Sequence, residues 1–279
     1  MKHITNEIVR RFEQYLYEEE KSDKTIEKYM RDIRVFTEWL GGCELDKSVV
    51  LEYKRELIEN YAPASVNSML SSLNALFIYL NWYDMKVKTL KIQKQIFASK
   101  DKELTKAEYE RLLTAAKSKN NEQLYYLMQT IASTGIRISE LSAISVEAVK
   151  TGKVTINCKG KLRQIFLPKA LCKMLKEFIK WRNIQSGSVF VTRTGKPLDR
   201  CRVWKLLKGL CESANVSKDK VFPHNLRHLF ARTFYSLQKD IVRLADILGH
   251  SSVETTRIYT MESGIEHRKQ LQKLGLLRC

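Results

Sequence analysis

The sequence predicts a mainly α-helical protein with a small β-sheet, divided into two domains. Apolar residues recur at helical spacing along most of the chain, and one stretch near residue 155 alternates as a β-hairpin does. A lysine-rich segment with few apolar residues separates the two halves. We therefore predict domains at residues 1–95 and 104–279, joined by a linker at residues 96–103.

Four amphipathic helices are predicted in the first domain. Gly41 and Gly42 end the second of them, and Pro63 precedes the fourth. The short connections are typical of a compact helical bundle. The predicted helices cover residues 4–19, 23–40, 47–59 and 65–79.

The second domain is predicted to combine helices with strands. Thr105 and Glu108 have the spacing of a capping box, which marks a new helix start. Residues 154–158 and 163–167 predict two paired strands around a turn, and residues 188–191 predict a short third strand. The predicted helices cover residues 105–117, 123–133, 136–144, 170–182, 200–213, 224–238, 240–248, 252–260 and 264–274.

The chain is strongly basic, with a formal net charge of +18 and a pI near 9.6. Such an excess predicts attraction to a polyanion, and nucleic acid is the commonest one. Basic residues on the outer faces of the first domain are candidates for phosphate contacts, although each one alone also suits a solvated surface. They are Lys21, Lys24, Lys28, Arg31 and Arg34.

Membrane insertion and export are not predicted. The sequence has no apolar run of about 18 residues, and its first residues contain no signal-peptide core. We therefore predict a cytoplasmic protein without a membrane partner. The six cysteines include no C-x-x-C pair, which predicts reduced thiols rather than a disulfide framework.

Three of the five histidines lie within residues 223–259. His224 and Arg227 share one face of a predicted helix, near an N-terminus that favours an anion. Apolar residues on the opposite face, including Leu237, can anchor that helix in the core. His224 and His228 also have zinc-helix spacing, but the motif supplies no carboxylate base, and Arg227 between them would repel a dication. A zinc hydrolase is therefore a disfavoured alternative.

A second group of polar residues surrounds a corner between two predicted helices. Gly249 suits the position just after one helix, and Ser251 with Glu254 suits a capping box for the next. His250 is therefore predicted at the corner, and Tyr259 on the second helix. A helical tyrosine usually serves packing, so Tyr259 becomes a functional candidate only if other groups converge on it.

Four motifs occur in a fixed order: TGIRISEL at 134–141, CKGK at 158–161, PHNLRH at 223–228 and LGHSSVETTRIY at 248–259. Together they resemble the tyrosine recombinase family, which includes phage integrases and Xer-type enzymes. The resemblance implies a mixed α+β tyrosine recombinase catalytic domain after a helical, SAM-like core-binding domain. The implied activity is site-specific cleavage and rejoining of DNA through a 3′-phosphotyrosine, in integration or excision of a mobile element, inversion or dimer resolution.

The resemblance implies that Arg137 and Arg227 hold the non-bridging oxygens of the scissile phosphate and that Lys159 is the general acid. An arginine fork binds two oxygens and stays charged, whereas a lysine can give up its proton. Lys161 in the same turn stays open as a second candidate acid, although the motif alignment favours Lys159. Taken alone, Arg137 could serve only as an ion-pair partner of Glu140, but the match of four motifs disfavours that alternative.

The resemblance further implies that His224 assists proton transfer, His250 hydrogen-bonds the phosphate, and Tyr259 is the nucleophile. The covalent link conserves the phosphodiester energy, so a 5′ hydroxyl can reverse the step without a nucleotide cofactor. We therefore expect neither a metal nor another cofactor.

The implied partners are double-stranded DNA core sites, bound by four copies of the chain on two paired sites. An accessory DNA-bending or excision protein is a further candidate partner. The apolar tail after Tyr259 could dock on its own domain or on a neighbouring subunit. The alternatives are a type IB topoisomerase, which the two-domain layout disfavours, and a silent DNA-binding regulator, which the intact catalytic set disfavours.

Overall fold

A computed structural model of the chain describes residues 2–92, 102–158, 161–250 and 252–259. It divides into two units, Met1–Lys94 and Gln95–Cys279, each with its own apolar core. The predicted linker boundaries stay a prediction, because residues 93–101 lie outside the described residues. Across the described residues, no helix is long and apolar enough to cross a membrane.

The first unit contains the four predicted helices. They are α1 (Asn6–Glu18), α2 (Asp23–Leu40), α3 (Lys47–Asn60) and α4 (Pro63–Tyr79), followed by a 3₁₀ helix (Tyr83–Met85). The side chains of Thr5 and Asp46 cap α1 and α3 by accepting backbone N–H groups. Pro63 is the first residue of α4, where its fixed φ suits a helix start.

The segment after α4 is attached to the first unit. The Asn67 side chain accepts from the Leu90 N–H at 2.7 Å and donates to the Leu90 carbonyl at 2.9 Å. Asn74 makes the same pair of hydrogen bonds with Val87, at 3.0 and 2.8 Å. The first unit therefore extends at least to Leu90.

Lys28, a candidate phosphate contact, already has partners within the first unit. Its Nζ lies 2.8 Å from the Asp32 carboxylate and donates to Ser72 Oγ at 2.7 Å. Asp32 is only 7% exposed. The lysine therefore compensates a buried carboxylate, which weakens its candidacy as a free phosphate ligand.

The second unit combines helices with one two-stranded antiparallel sheet among its described residues. Its helices before the sheet are α5 (Lys106–Ser118), α6 (Glu122–Thr134), a 3₁₀ helix (Ile138–Ala143) and α7 (Val146–Thr151). The strands are β1 (Lys153–Cys158) and β2 (Lys161–Phe166). The elements that follow are α8 (Lys169–Trp181), α9 (Arg200–Lys208), a 3₁₀ helix (Lys218–Lys220), α10 (Pro223–Gln238), α11 (Ile241–Leu248), α12 (Val253–Thr256) and a 3₁₀ helix (Arg257–Tyr259).

Helix α6 lies in the core of the second unit, where it contacts α5, α8 and α10. The predicted capping box forms at the start of α5: the Glu108 N–H donates to Thr105 Oγ1, and the Thr105 N–H donates to the Glu108 carboxylate. In the hairpin, the register runs from Lys153 opposite Phe166 to Cys158 opposite Lys161. Residues 159–160, the predicted turn, lie outside the described residues.

Two predicted elements are wrong in extent or type. The predicted third strand at residues 188–191 forms only single bridges, Ser145 with Ser188 and Val191 with Pro197. Proline has no N–H to extend a ladder. The helix predicted to reach residue 213 ends at Lys208, because Gly209 follows and the chain continues as turns.

Further differences concern the segments around the candidate site. The helix predicted at 136–144 is a 3₁₀ helix, and that at 252–260 is α12 followed by the 3₁₀ helix Arg257–Tyr259. Ser252, rather than Ser251, caps α12. Leu237 is 75% exposed instead of anchoring α10. The helix predicted at 264–274 lies outside the described residues.

Candidate active site

Arg137 lies just after α6, where the chain turns sharply. Gly135 ends α6 at a φ of +63°, and a Cβ there would lie 2.5 Å from the Phe230 ring. Arg137 then caps the 3₁₀ helix Ile138–Ala143, and its N–H and Nη1 donate to the Glu140 carboxylate at 3.0 and 2.9 Å. The ion pair considered as an alternative role is therefore present. Its side chain remains 34% exposed, so the pairing does not bury it.

The carboxyl end of α11 brings three guanidinium groups together. Arg137 Nη2 donates to the Gly249 carbonyl at 2.9 Å, and Arg227 Nη2 donates to the Leu248 carbonyl at 2.7 Å. Arg163 Nη1, from β2, donates to the same Leu248 carbonyl. The last carbonyls of a helix have no intrahelical partners and carry the negative end of its dipole. They therefore fix the positions of three cations at once.

Arg227 is almost fully buried, with 2% of its surface exposed. Besides its bond to α11, it donates to the Gly135 carbonyl, and its Nη2 lies 3.1 Å from His250 Nε2. Burial and the neighbouring charge of Arg137 lower its pKa to about 10, while Tyr259 acts in the opposite direction. The guanidinium therefore stays charged at neutral pH in a crowded, positive environment.

His250 occupies the predicted corner after α11. Gly249 has a φ of +61°, and the His250 N–H returns to the Ala245 carbonyl at 3.0 Å. Its Nε2 faces Arg227, which can only donate, so Nε2 accepts and Nδ1 carries the hydrogen toward Thr256 Oγ1 at 2.7 Å. Burial, then the charge of Arg227, lowers its pKa to about 4, which agrees with a neutral ring.

Tyr259 is buried, with 5% of its surface exposed, and packs against apolar residues of α10 and α11. Its ring centroid lies 4.8 Å from that of His228 and 6.0 Å from that of His250. His228 in turn lies 4.3 Å from His224, centroid to centroid. The structure therefore places three histidine rings and the tyrosine in one continuous group.

His224 lies near the start of α10 with an exposed side chain. Burial of part of its ring lowers its pKa, and the charges of Arg227 and Arg137 add to the effect. A histidine that is neutral at physiological pH can accept a proton. Its position therefore suits proton transfer at the edge of the cluster.

The site contains more positive than negative charge among its described residues. Arg137 and Arg163 both bond to Glu140, at 2.9 and 2.6 Å, and this carboxylate is only 9% exposed. Arg227 adds a third cation, and within the described residues its hydrogen bonds go to two backbone carbonyls and to His250. An anion entering the cluster would relieve this repulsion, which makes a phosphate group the natural ligand.

Lys159, the predicted acid, lies outside the described residues. Its hairpin is nevertheless linked to the site through Arg163, a residue to which sequence analysis gave no role. The available signal was position: Arg163 shares the inward face of β2 with the buried Ile165, where a charge needs a partner. Thr256 and His228 were also missed as members of the site.

The zinc alternative gains no third ligand. Across the residues that the structure describes, no group of three or more His, Cys, Asp or Glu could hold a metal ion. His224 and His228 pack ring against ring, with an interplanar angle of 66°.

Residues 102–264 match the phage integrase family, and residues 9–83 match the N-terminal SAM-like domain of phage integrases. Tyrosine recombinase XerA of Thermococcus kodakarensis is 31% identical over 98% of this chain and 96% of its own length. Tyrosine recombinase XerD of Vibrio cholerae is 27% identical over 91% of each chain. A lambda integrase fragment, solved as a dimer bound to a core site, shares the fold with a TM-score of 0.76, at 18% identity over 94% of this chain and 97% of that one.

A helical SAM-like unit followed by a mixed catalytic unit is the arrangement of the integrase class. The chain belongs to the phage integrase family and is a site-specific tyrosine recombinase. The family, the fold class and the enzyme class predicted from the sequence are confirmed. The roles of individual residues stay predictions.

Proposed function

We propose that this chain cleaves and rejoins duplex DNA at specific core sites through a 3′-phosphotyrosine formed by Tyr259. The convergence of Arg137, Arg227 and His250 beside that tyrosine carries the proposal. DNA as the partner is supported by solved neighbours, among them XerH bound to its difH substrate and a lambda integrase tetramer bound to a Holliday junction.

In the proposed step, the Tyr259 oxygen forms a bond to phosphorus and the bond from phosphorus to O5′ breaks. The phenolic proton passes to His224, and Lys159 supplies a proton to the leaving O5′. Arg137 and Arg227 hold the two non-bridging oxygens, on which charge must be stabilised in the transition state. Attack by the 5′ hydroxyl of another strand reverses the step and completes strand exchange.

His250 would donate a hydrogen bond to the phosphate, which requires a change of tautomer. Its Nε2 accepts from Arg227 in this structure, so the hydrogen must move from Nδ1 to Nε2. Thr256 Oγ1 can then donate to Nδ1, since a hydroxyl both donates and accepts. Thr256 therefore allows His250 to serve either Arg227 or a phosphate.

We assign the acid to Lys159 rather than Lys161, as the motif resemblance implies. Arg163 supports a role for this hairpin, without distinguishing its two lysines, because it ties β2 to both Glu140 and the end of α11. A hairpin fixed in this way would deliver its turn to the same site as the arginines. Comparing Lys159→Ala with Lys161→Ala in single-turnover cleavage distinguishes the two candidates.

The assembly we propose is a homotetramer on two paired core sites, exchanging strands in pairs, with both units of each protomer on one half-site. An accessory DNA-bending or excision protein and a cytoplasmic location complete this proposal. No metal or nucleotide cofactor is required by the step as written, since every charge and proton is supplied by side chains.

Covalent capture tests the proposal. The protein is incubated with genomic DNA flanking its gene, the reaction is stopped with denaturant, and the cleavage position is mapped from the protein-linked strand. A nicked suicide duplex built on that position should capture the wild-type chain and fail to capture Tyr259→Phe, although that variant still binds the duplex.

Tyr235→Phe is the matched control, because Tyr235 packs in the same apolar cluster on α10. It should retain capture. Undiminished capture by Tyr259→Phe would refute the nucleophile. Relaxation of a plasmid without the mapped site, with no recombinant product, would instead favour a topoisomerase.

A further inference from the structure

His228 lies between the proposed nucleophile and His224. Its ring meets the Tyr259 ring at 82° with centroids 4.8 Å apart, and the His224 ring at 66° with centroids 4.3 Å apart. Both contacts are edge-to-face, an arrangement that aromatic rings favour and that fixes their relative orientation. His224 and His228 are also one turn apart on α10, so the helix itself holds the pair.

The Nε2 atom of His228 does not act as a hydrogen-bonding group toward any described residue in this structure. Within the described part of the chain, His228 Nε2 is buried and has no hydrogen-bond partner. Burial, followed by the charges of His224, Arg232 and Arg227, lowers the pKa of His228 to about 3. The imidazole is therefore neutral at physiological pH, and it meets Tyr259 and His224 through contacts of its ring.

Tyr259 needs such support because its own segment is short. It ends a three-residue 3₁₀ helix that follows the four-residue α12. Segments of this length have few internal hydrogen bonds and take their position from packing. The Tyr259 side chain packs mainly against α10 and α11, and the His228 ring centroid lies nearer to it than the His250 ring centroid does.

We infer that His228 is a positioning residue, whose ring holds the Tyr259 phenol in the attack position through an edge-to-face contact that His224 supports from the other side. The inference rests on the proposed function, in which Tyr259 is the nucleophile. Displacing a reacting atom by about 1 Å can lower a rate about 100-fold. The ring of His228 therefore governs the rate of cleavage without contacting DNA or the phosphate.

Three variants separate the ring from its nitrogens. His228→Phe keeps a ring and removes the unpartnered nitrogen, whereas His228→Leu and His228→Gln remove the ring. On the suicide duplex carrying the mapped site, the Leu and Gln variants should be captured about 10- to 100-fold more slowly at saturating protein, with unchanged DNA affinity. The Phe variant should restore a rate near that of the wild type.

A second substrate tests whether the His228 ring acts through protonation of the leaving group instead of through the position of Tyr259. In a duplex with a 5′-bridging phosphorothiolate, sulfur leaves without needing a proton, because a thiol is far more acidic than an alcohol. A defect in the position of Tyr259 persists on this substrate. Recovery of the Leu variant to the wild-type rate would overturn the inference, because the ring would then act through acid catalysis.

Two further results would overturn it: full-rate capture by the Leu or Gln variant, or failure of a folded Phe variant. The Gln variant covers the case in which Leu does not fold, and thermal melting with DNA binding establishes folding for each. Absence of capture by the wild-type chain would refute the proposed function itself, and is thereby distinguished from failure of the His228 inference.

Discussion

Replacing Gly249 with alanine should disrupt the corner that orients the arginines. Gly249 has a φ of +61°, and an added Cβ would lie 2.5 Å from Cδ and 2.6 Å from Nη1 of Arg163. A side chain in the left-handed region costs about 1–2 kcal/mol. Displacing Arg163 also weakens charged hydrogen bonds to Glu140 and Leu248, at about 1.5–3 kcal/mol for one of them. The expected loss in the free energy of unfolding is about 2.5–5 kcal/mol.

Gly152→Ala is the matched control. Gly152 has a φ of +72°, in the same left-handed region, but an added Cβ meets only Cys172 Sγ, at 4.0 Å. That substitution should cost only the backbone term of about 1–2 kcal/mol. The difference between the two variants in the free energy of unfolding, about 1.5–3 kcal/mol, measures the close approach of Arg163.

Urea unfolding of the second unit measures the loss in the free energy of unfolding for each of the two variants. Capture of the suicide duplex measures the catalytic consequence. Gly249→Ala should slow capture, whereas Gly152→Ala should leave it near the wild-type rate. Adding Arg163→Ala to Gly249→Ala removes the steric conflict, so Gly249→Ala should cost less in that background. If Gly249→Ala and Gly152→Ala lower the free energy of unfolding equally, the close approach of Arg163 to Gly249 does not contribute to stability, and the prediction is refuted.

Two further predictions follow from the histidines. Thr256→Val removes the hydroxyl that supports both tautomers of His250 and should slow capture about 10-fold. Thr255→Val is the control at an exposed position and should not slow capture. Equal capture rates for the two variants would contradict the role assigned to Thr256. The lowered pKa values of His228 and His250, about 3 and about 4, mean that the unfolded chain binds protons first as the pH falls below about 6.5. As the pH falls from 6.5 to its folded pKa, each histidine should therefore lower the free energy of unfolding by about 1.4 kcal/mol per pH unit. A melting temperature that stays constant from pH 7 to about pH 4.5 would contradict this prediction.

The sequence predicted the helical bundle well because its apolar periodicity and its breaks coincide. Gly41 ends α2 in the left-handed conformation that glycine readily adopts, and Pro63 begins α4. Both are local effects of the backbone, so they can be inferred from neighbouring residues alone. The capping box of Thr105 and Glu108 formed for the same reason.

Short segments of the second unit were harder to predict, since tertiary contacts determine them. The chain after Arg137 forms a 3₁₀ helix rather than an α-helix, and directly after it Ile144 accepts from the Val189 N–H and Ser145 pairs with Ser188. These partners lie more than 40 residues away in sequence. Helical periodicity could not reveal that they would draw the chain into an extended conformation.

The candidate site was also only partly predictable from the sequence. The order of the motifs identified Arg137, Arg227 and Tyr259 as candidates, but it gave no reason to connect Arg163 with the end of α11. That connection joins residues 85 positions apart in sequence, Arg163 and Leu248, and exists only once the hairpin has packed. A charged residue on the buried face of a strand was the one local indication that such a partner existed.

The end of α11 explains how a cluster of like charges can be assembled before DNA binds. Three guanidinium groups repel one another: burial lowers the pKa of Arg227, and the charges of Arg137 and Arg163 add to that effect. Each group is nevertheless held in position by a hydrogen bond to a carbonyl at the end of α11. Glu140 neutralises part of the charge through Arg137 and Arg163. The remaining excess lies at Arg227, next to Tyr259. A phosphate entering there would meet donors whose orientation was fixed during folding, so little reorganisation would oppose the transition state.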